Sequence, residues 1–271
     1  MRRILTCSTL LLAALGPASL RSQTAAGPPP PPAVLFIGRE EVKVGMRGVH
    51  ADFEAKWPAA YTRYSDPTNY LAMTSNTGPS EAWFLVGYPS FAAMEKDNDR
   101  ASANAPMSAE LGQLSKGDAE FISNNTGIVL QLVSGMTYGG NVNIPTMRYM
   151  EVITYRVRPG HDADFGKAAA LYRDAATKGK SSRPWALYRT VSGAPAGTYL
   201  VLLPMKSLAV WDAGDADDKA IMGAMGSDGA MMLKKLISDG VATASSQLFE
   251  FSPKMSYVSK EWKAANPSFW K

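Results

Sequence analysis

The chain alternates short apolar runs with stretches of helical period, and the order of the two repeats. Strand-like runs rich in β-branched and aromatic residues occupy 34–44 (VLFIGREEVKV), 69–75 (NYLAMTS), 82–88 (AWFLVGY) and 127–133 (GIVLQLV). A second set stands at 148–157 (RYMEVITYRV), 184–191 (PWALYRTV), 198–204 (TYLVLLP) and 246–252 (SQLFEFS). Partial alternation with period two in 34–44 and 148–157, and apolar runs bounded by turn residues in the others, mark these segments as strands. After the first strand of each set comes an apolar stripe: Phe53, Trp57 and Tyr61 with Ala60 and Tyr64, then Phe165, Ala169, Tyr172 and Ala176. Positions i, i+4 and i+8 share one face of a helix, so both stretches predict an amphipathic helix. A second helical pattern opens behind Pro89 and again behind Pro204, with Ser90 and Ser207 as N-caps.

The order β-α-β-β-α-β is therefore written twice, over 33–133 and 148–252. Hairpin loops NTGPSE and SGAPAG sit in corresponding places, and a Gly- and Asn-rich linker, 134–147, separates the halves. Two octapeptides, MRGVHADF (46–53) and RPGHDADF (158–165), align Gly48 with Gly160, Ala51 with Ala163, Asp52 with Asp164 and Phe53 with Phe165. On that alignment the two glycines turn the chain. The two aspartates fall in the first helical turn, where a carboxylate complements exposed N–H groups. One such unit leaves a sheet face bare, and a second copy in the same chain covers it. The predicted fold is α+β: two tandem ferredoxin-like units whose antiparallel sheets pack together as one intrachain barrel.

The segment YRVRPGHDADF (155–165) is similar to the first strand and helix of NIPSNAP-like and antibiotic-biosynthesis-monooxygenase-like domains. The doubled arrangement as a whole resembles the dimeric α/β-barrel superfamily. The first copy departs from the pattern, with Arg47 in place of the proline and Val49 after the glycine. The resemblance implies the barrel. It spans cofactor-free monooxygenases, haem-binding enzymes, isomerases and members without known activity, so it selects no reaction.

Composition adds an address. Met1-Arg2-Arg3, an apolar run from Ile4 to Leu15 and small residues up to Ala26 have the grammar of a signal peptide over 1–26. That run is shorter than the roughly 20 residues of a membrane span. The expectation is an exported protein, periplasmic or secreted, with no membrane span in the mature chain. Residues 27–32, GPPPPP, predict a stiff spacer. Arg2, Arg3 and Arg21 account for most of the formal charge of +4, and the remaining bases are scattered among acids. No nucleic-acid partner is expected from such a surface. The sole cysteine, Cys7, lies in the leader, so the mature chain offers no disulfide and no thiol ligand or nucleophile.

Candidate chemistry is sparse. His161 is a weak candidate for haem ligation or general-base work; its alternative is an exposed first-turn residue. His50 is expected at the solvent end of the first helix start. With two histidines and no mature cysteine, no metal site is expected. DAGDADD (212–218) lacks the closing Glu of a calcium loop and reads as a solvated acidic turn. Met222, Met225, Met231 and Met232 are expected to fill core. Ligand-pocket candidates are Glu151, Tyr155, Trp185 and Arg189. Trp185, Leu187 and Arg189 share one strand face and Tyr188 takes the other. If the Arg189 face turns inward, the charge needs Glu151 or an anionic ligand beside it.

The tail, 253–271, carries Tyr257, Trp262, Phe269 and Trp270 and is expected to dock, either as a lid on the pocket or as a seal in a homodimer. Two function classes follow. One is a non-catalytic barrel binding a small apolar or anionic molecule, with no cofactor. The other is a cofactor-free or haem-associated monooxygenase-type enzyme. A lined cavity between the sheets favours the enzyme, and an interior filled by side chains favours the binder.

Overall fold

In the computed structural model, which describes residues 28–271, eight strands close into one antiparallel barrel. They are β1 (Val34–Val42), β2 (Leu71–Ser75), β3 (Glu81–Tyr88), β4 (Ile122–Leu132), β5 (Tyr149–Val157), β6 (Ala186–Ser192), β7 (Thr198–Met205) and β8 (Val241–Phe251). Helices α1 (Arg47–Glu54), α2 (Lys56–Arg63), α3 (Phe91–Ala103) and α4 (Ala105–Asp118) belong to the first half. The second half carries α5 (Asp162–Gly179), α6 (Ala209–Asp212) and α7 (Gly214–Gly240), and the tail carries α8 (Lys260–Ala265). The strands of each half stand in the same order, β4-β1-β3-β2 and β8-β5-β7-β6, and the halves meet through β2–β8 and β4–β6. Closure pairs every strand on both sides, which removes the exposed edges an open sheet would carry. The predicted leader, 1–26, lies outside the described residues.

Strand alternation decides which side chains enter the barrel. Leu35 and Ile37 of β1, Trp83 and Leu85 of β3, Ile128 and Leu130 of β4, and Met150 and Val152 of β5 form one buried cluster inside it. Each such side chain contributes roughly 1.5–3 kcal/mol by leaving water. One end of the barrel is solid. There the Trp83 and Phe249 rings lie 4.6 Å apart, and the Arg39 guanidinium stacks 4.6 Å over Trp83 while pairing with Glu81 at 2.8 Å. The Trp83 indole and Gln247 also donate to Glu81, so the one buried acid there is fully engaged. The outer face of the second half is apolar as well: Val157, Phe165, Ala176, Tyr199 and Ile221 pack between the wall and α5 and α7.

All eight predicted strands are present, but the octapeptide alignment is out of structural register. A β-bulge interrupts β1 between Glu41 and Val42 and β5 between Arg156 and Val157. Beyond each bulge a glycine with positive φ turns the chain, Gly45 at 81° and Gly160 at 85°. Only a residue without Cβ takes that conformation cheaply. Gly45 is thus the counterpart of Gly160, and α1 begins at Arg47 where α5 begins at Asp162. Gly48 sits inside α1, and Asp52 lies beyond its first turn, which holds no acid. In the structural register His50 stands where Phe165 does, Glu54 where Ala169 does, and Trp57 where Tyr172 does. His50 is buried rather than at the solvent end of the helix.

Three further expectations are corrected. β4 and β8 begin at Ile122 and Val241, earlier than predicted, because SNNTG and ATASS are exposed polar segments without a hydrophobic signal. Met222, Met231 and Met232 are exposed on α7, and only Met225 packs inward; the helix is interrupted at Gly226, φ 73°, and presents one face to the wall. DAGDADD is helical rather than a turn, with Asp217 accepting from Ser181 and Arg183.

Candidate functional site

The other end of the barrel is hollow. A cavity of about 420 Å³ opens above the solid end, walled by Leu35, Leu71, Leu85, Met150, Leu202 and the Trp185–Ala186–Tyr188 stretch of the strands. Its roof is made by the two ends of the described chain. Pro29 to Pro32 cross it on one side, Val258 and Trp262 on the other, with Val142 and Ile144 of the inter-half linker between them. The proline segment is therefore part of the site, and not a free spacer. Pro32 lies so close to Gly87 that a Cβ there would come within 2.8 Å of its ring, so only glycine admits the contact. The Tyr188 hydroxyl, inside the barrel, donates to the Pro32 carbonyl at 3.0 Å and ties the strap down. Burial pushes that phenol above its ordinary range.

The tail docks on its own barrel. Met255 and Trp270 are buried, and Trp270 joins the interior cluster while its indole donates to the Pro145 carbonyl at 2.7 Å. The Trp262 ring packs edge-on against Trp270, 5.8 Å away. Tyr257 bridges to Tyr70 in antiparallel fashion, and its hydroxyl donates to the Asp66 carbonyl. The tail thus covers the open end of the barrel.

The residues singled out in the sequence are not brought together. Trp185 lines the cavity at its rim, with its indole donating to the Met136 carbonyl at 2.8 Å. Glu151 and Tyr155 lie on the outer face of β5, because Met150 and Val152 occupy its inner face. Glu151 accepts from Ser246 at 2.7 Å and from Trp211, and Tyr155 packs against Phe165. Arg189 is exposed on the outside of β6, bonded to Gln131 of the neighbouring strand. It needs no anionic ligand. His161 caps α5 on the surface, 3.0 Å from Asp164 and remote from the cavity. Among the described residues the cavity wall contains no His, no Cys and no charged side chain, so these residues offer neither an axial nitrogen for haem iron nor a base for haem carboxylates. What sequence reading missed was Tyr188, the inward partner of the Arg189 face, and the proline strap.

The barrel recurs in solved structures. A "putative monooxygenase" from Fusobacterium nucleatum subsp. nucleatum superposes with a TM-score of 0.50 at 10% identity, over 82% of this chain and 93% of that one. An anthrone oxidase-like protein gives 0.50 at 11% identity, over 84% and 94%. A mutant chlorite dismutase from Candidatus Nitrospira defluvii, in complex with cyanide, gives 0.48 at 9% identity, over 83% and 92%. At these identities the likeness is one of fold, that of the dimeric α/β barrel. No family model and no curated protein matches the sequence.

Proposed function

We propose that this chain is an exported barrel protein, built of two tandem ferredoxin-like units, that binds a small and largely apolar molecule beneath its chain ends. The observation that carries the reading is the cavity itself: about 420 Å³, lined by apolar and aromatic side chains, with Asn69 and Asn143 among its few polar ones. Binding pockets of this size are mostly apolar and use a few polar groups to orient the ligand. The identical strand order of the halves and the matching Gly45 and Gly160 support the tandem origin. The leader-like first 26 residues support export.

A second reading, a cofactor-free oxygenase of the monooxygenase type, is favoured by the presence of a lined cavity rather than a filled interior and by the fold shared with the anthrone oxidase-like protein. The binder is preferred because the described lining holds no charged or imidazole side chain to act as acid or base. Anthrone, small and largely apolar, is a guest that both readings admit, and one experiment separates them. Anthrone is titrated into the protein while Trp fluorescence is followed, because Trp185 and Trp262 line the cavity. Saturable quenching that disappears in Leu71→Trp, a cavity-filling variant, is the expected result. Oxygen uptake above the anthrone blank, abolished by the same variant, selects the oxygenase. Quenching unchanged in Leu71→Trp would remove the cavity from consideration. In a parallel hemin titration, the Soret spectrum is expected to be the same for the wild type and His161→Ala.

A further inference from the structure

On the outer side of the first half, between wall and helices, lies a group of side chains that the barrel does not need. Glu40 of β1, His50 and Glu54 of α1, and Asp118 at the end of α4 converge there, each offering one donor atom, all within 4.8 Å of one another. His50 and Glu54 share a helix face one turn apart. The His50 Nε2 lies 3.0 Å from Glu40 Oε2 and 3.5 Å from Asp118 Oδ1, so one imidazole nitrogen faces two carboxylates. Exposure is 8% for Glu40, 1% for His50, 2% for Glu54 and 2% for Asp118. Asn125 of β4 donates to the other oxygen of Glu40 and orients it. Glu54 Oε1 and Asp118 Oδ1 are buried within the cluster without any hydrogen-bond partner.

Unpartnered carboxylate oxygens are rare inside proteins, and each one asks for an explanation. Three acids crowd a dry space that holds a single imidazole. The second half shows that the fold does not impose this. By the bulge register, Tyr155, Phe165 and Ala169 stand where Glu40, His50 and Glu54 do, and Ile237 precedes β8 as Asp118 precedes β4. All four belong to an apolar cluster.

We propose that Glu40, His50, Glu54 and Asp118 bind one divalent first-row transition-metal ion, of the zinc, manganese or ferrous iron class. An imidazole nitrogen with carboxylate oxygens suits these ions. The nitrogen and the small number of donors disfavour calcium and magnesium, which take six or more oxygens or keep their own waters. The ion would draw in the two free oxygens and offset the carboxylate charge. Four protein donors in a buried seam make a closed set, which is the pattern of a structural site. The ion would then pin α1 and α4 to β1.

The test uses the full chain, stripped with chelator and dialysed. Zn²⁺, Mn²⁺ and Co²⁺ are titrated separately by calorimetry, with Co²⁺ absorption as a ligand-field readout and thermal unfolding in parallel. Expected are one equivalent bound, Co²⁺ bands of a low-coordinate N/O site, and a rise in unfolding temperature. His50→Gln and Glu54→Gln are each expected to weaken binding at least 100-fold. A combined replacement by the second-half residues, Glu40→Tyr, His50→Phe, Glu54→Ala and Asp118→Ile, should fold and bind nothing. No saturable binding of any of the three ions overturns the proposal. So does binding that persists in both Gln variants, since it would lie elsewhere on the surface.

Discussion

The two helix–wall seams of this barrel occupy equivalent places and are made of opposite materials. In the second half Tyr155, Phe165, Ala169 and Ile237 close the gap, with Phe165 against Tyr199 at 4.6 Å and Tyr155 at 5.4 Å. In the first half the same places hold Glu40, His50, Glu54 and Asp118. Apolar closure yields about 25 cal/mol per Å² removed from water. Buried charge costs several kcal/mol per ion before any attraction is counted. The second half shows the solution that stability alone favours. The first half departs from it, and such departures concentrate where a protein keeps something other than stability.

The contrast can be broken from either side. The largest effect is expected in the apolar seam: Phe165→Ala should cost about 3–5 kcal/mol, the usual loss for a deleted core aromatic. A urea midpoint shift equivalent to under about 1 kcal/mol would mean that this seam is not core. Next comes the polar seam without metal. His50→Ala alone, which leaves three acids facing one another, should cost about 3 kcal/mol, whereas the four-residue apolar replacement should be neutral or stabilising by about 1–4 kcal/mol. Equal losses in the two variants would show that the first half cannot adopt the packing of the second.

The smallest effect sharpens a likeness instead. Each half clamps helix to loop with an arginine: Arg100 with Asp66 and Asp97, and Arg183 with Asp217. Burial tends to raise Asp97, but hydrogen bonds from Thr68, Arg100 and Tyr88 hold it below the ordinary range. Asp217 behaves alike, with burial opposed by Ser181, Ser182 and Arg183. A lowered carboxyl stabilises the fold above its unfolded pKa and loses that stabilisation as pH falls through its folded one. Arg100→Ala and Arg183→Ala should each move the acid-unfolding midpoint upward and cost about 1–3 kcal/mol at neutral pH, since each leaves a largely buried carboxylate, Asp66 or Asp217, without its charged donor. Circular dichroism between neutral and acid pH reads both.

Legibility in the sequence followed the apolar signal. Strands such as VLFIG and TYLVLLP announce themselves as short apolar runs rich in β-branched and aromatic residues, and the order of elements carries over to the barrel. The octapeptide match led to a closed antiparallel barrel through residues that do not correspond in the structure. Gly48 resembled Gly160 in type, yet Gly45 makes the turn, because a turn selects a φ angle and several glycines stand within reach of it. The octapeptide alignment conceals the polar cluster, because it sets His50 opposite Asp162 at the surface, where the bulge register sets it opposite the buried Phe165. Glu40 and Asp118 arrive from a strand and a helix distant in sequence, and no spacing rule links them. One local clue was present, since His50 and Glu54 lie four apart on a helix whose opposite face is also polar. The cavity was half legible. Trp185 was found, whereas the strap and Tyr188 depend on the chain folding back over its own barrel.

That fold-back sets how a guest would come and go. The wall is a continuous ring of hydrogen-bonded strands, costly to open anywhere, while the roof among the described residues is Pro29–Pro32, Val142 and Ile144 of the linker, and the stretch from Val258 to Trp270. Residence time is then governed by how often a chain end peels away, and the barrel itself stays still. Clipping the proline strap should hasten release at little cost in unfolding temperature, whereas clipping the tail also takes Trp270 out of the interior and lowers that temperature, so that only the strap separates turnover of bound cargo from durability of the container.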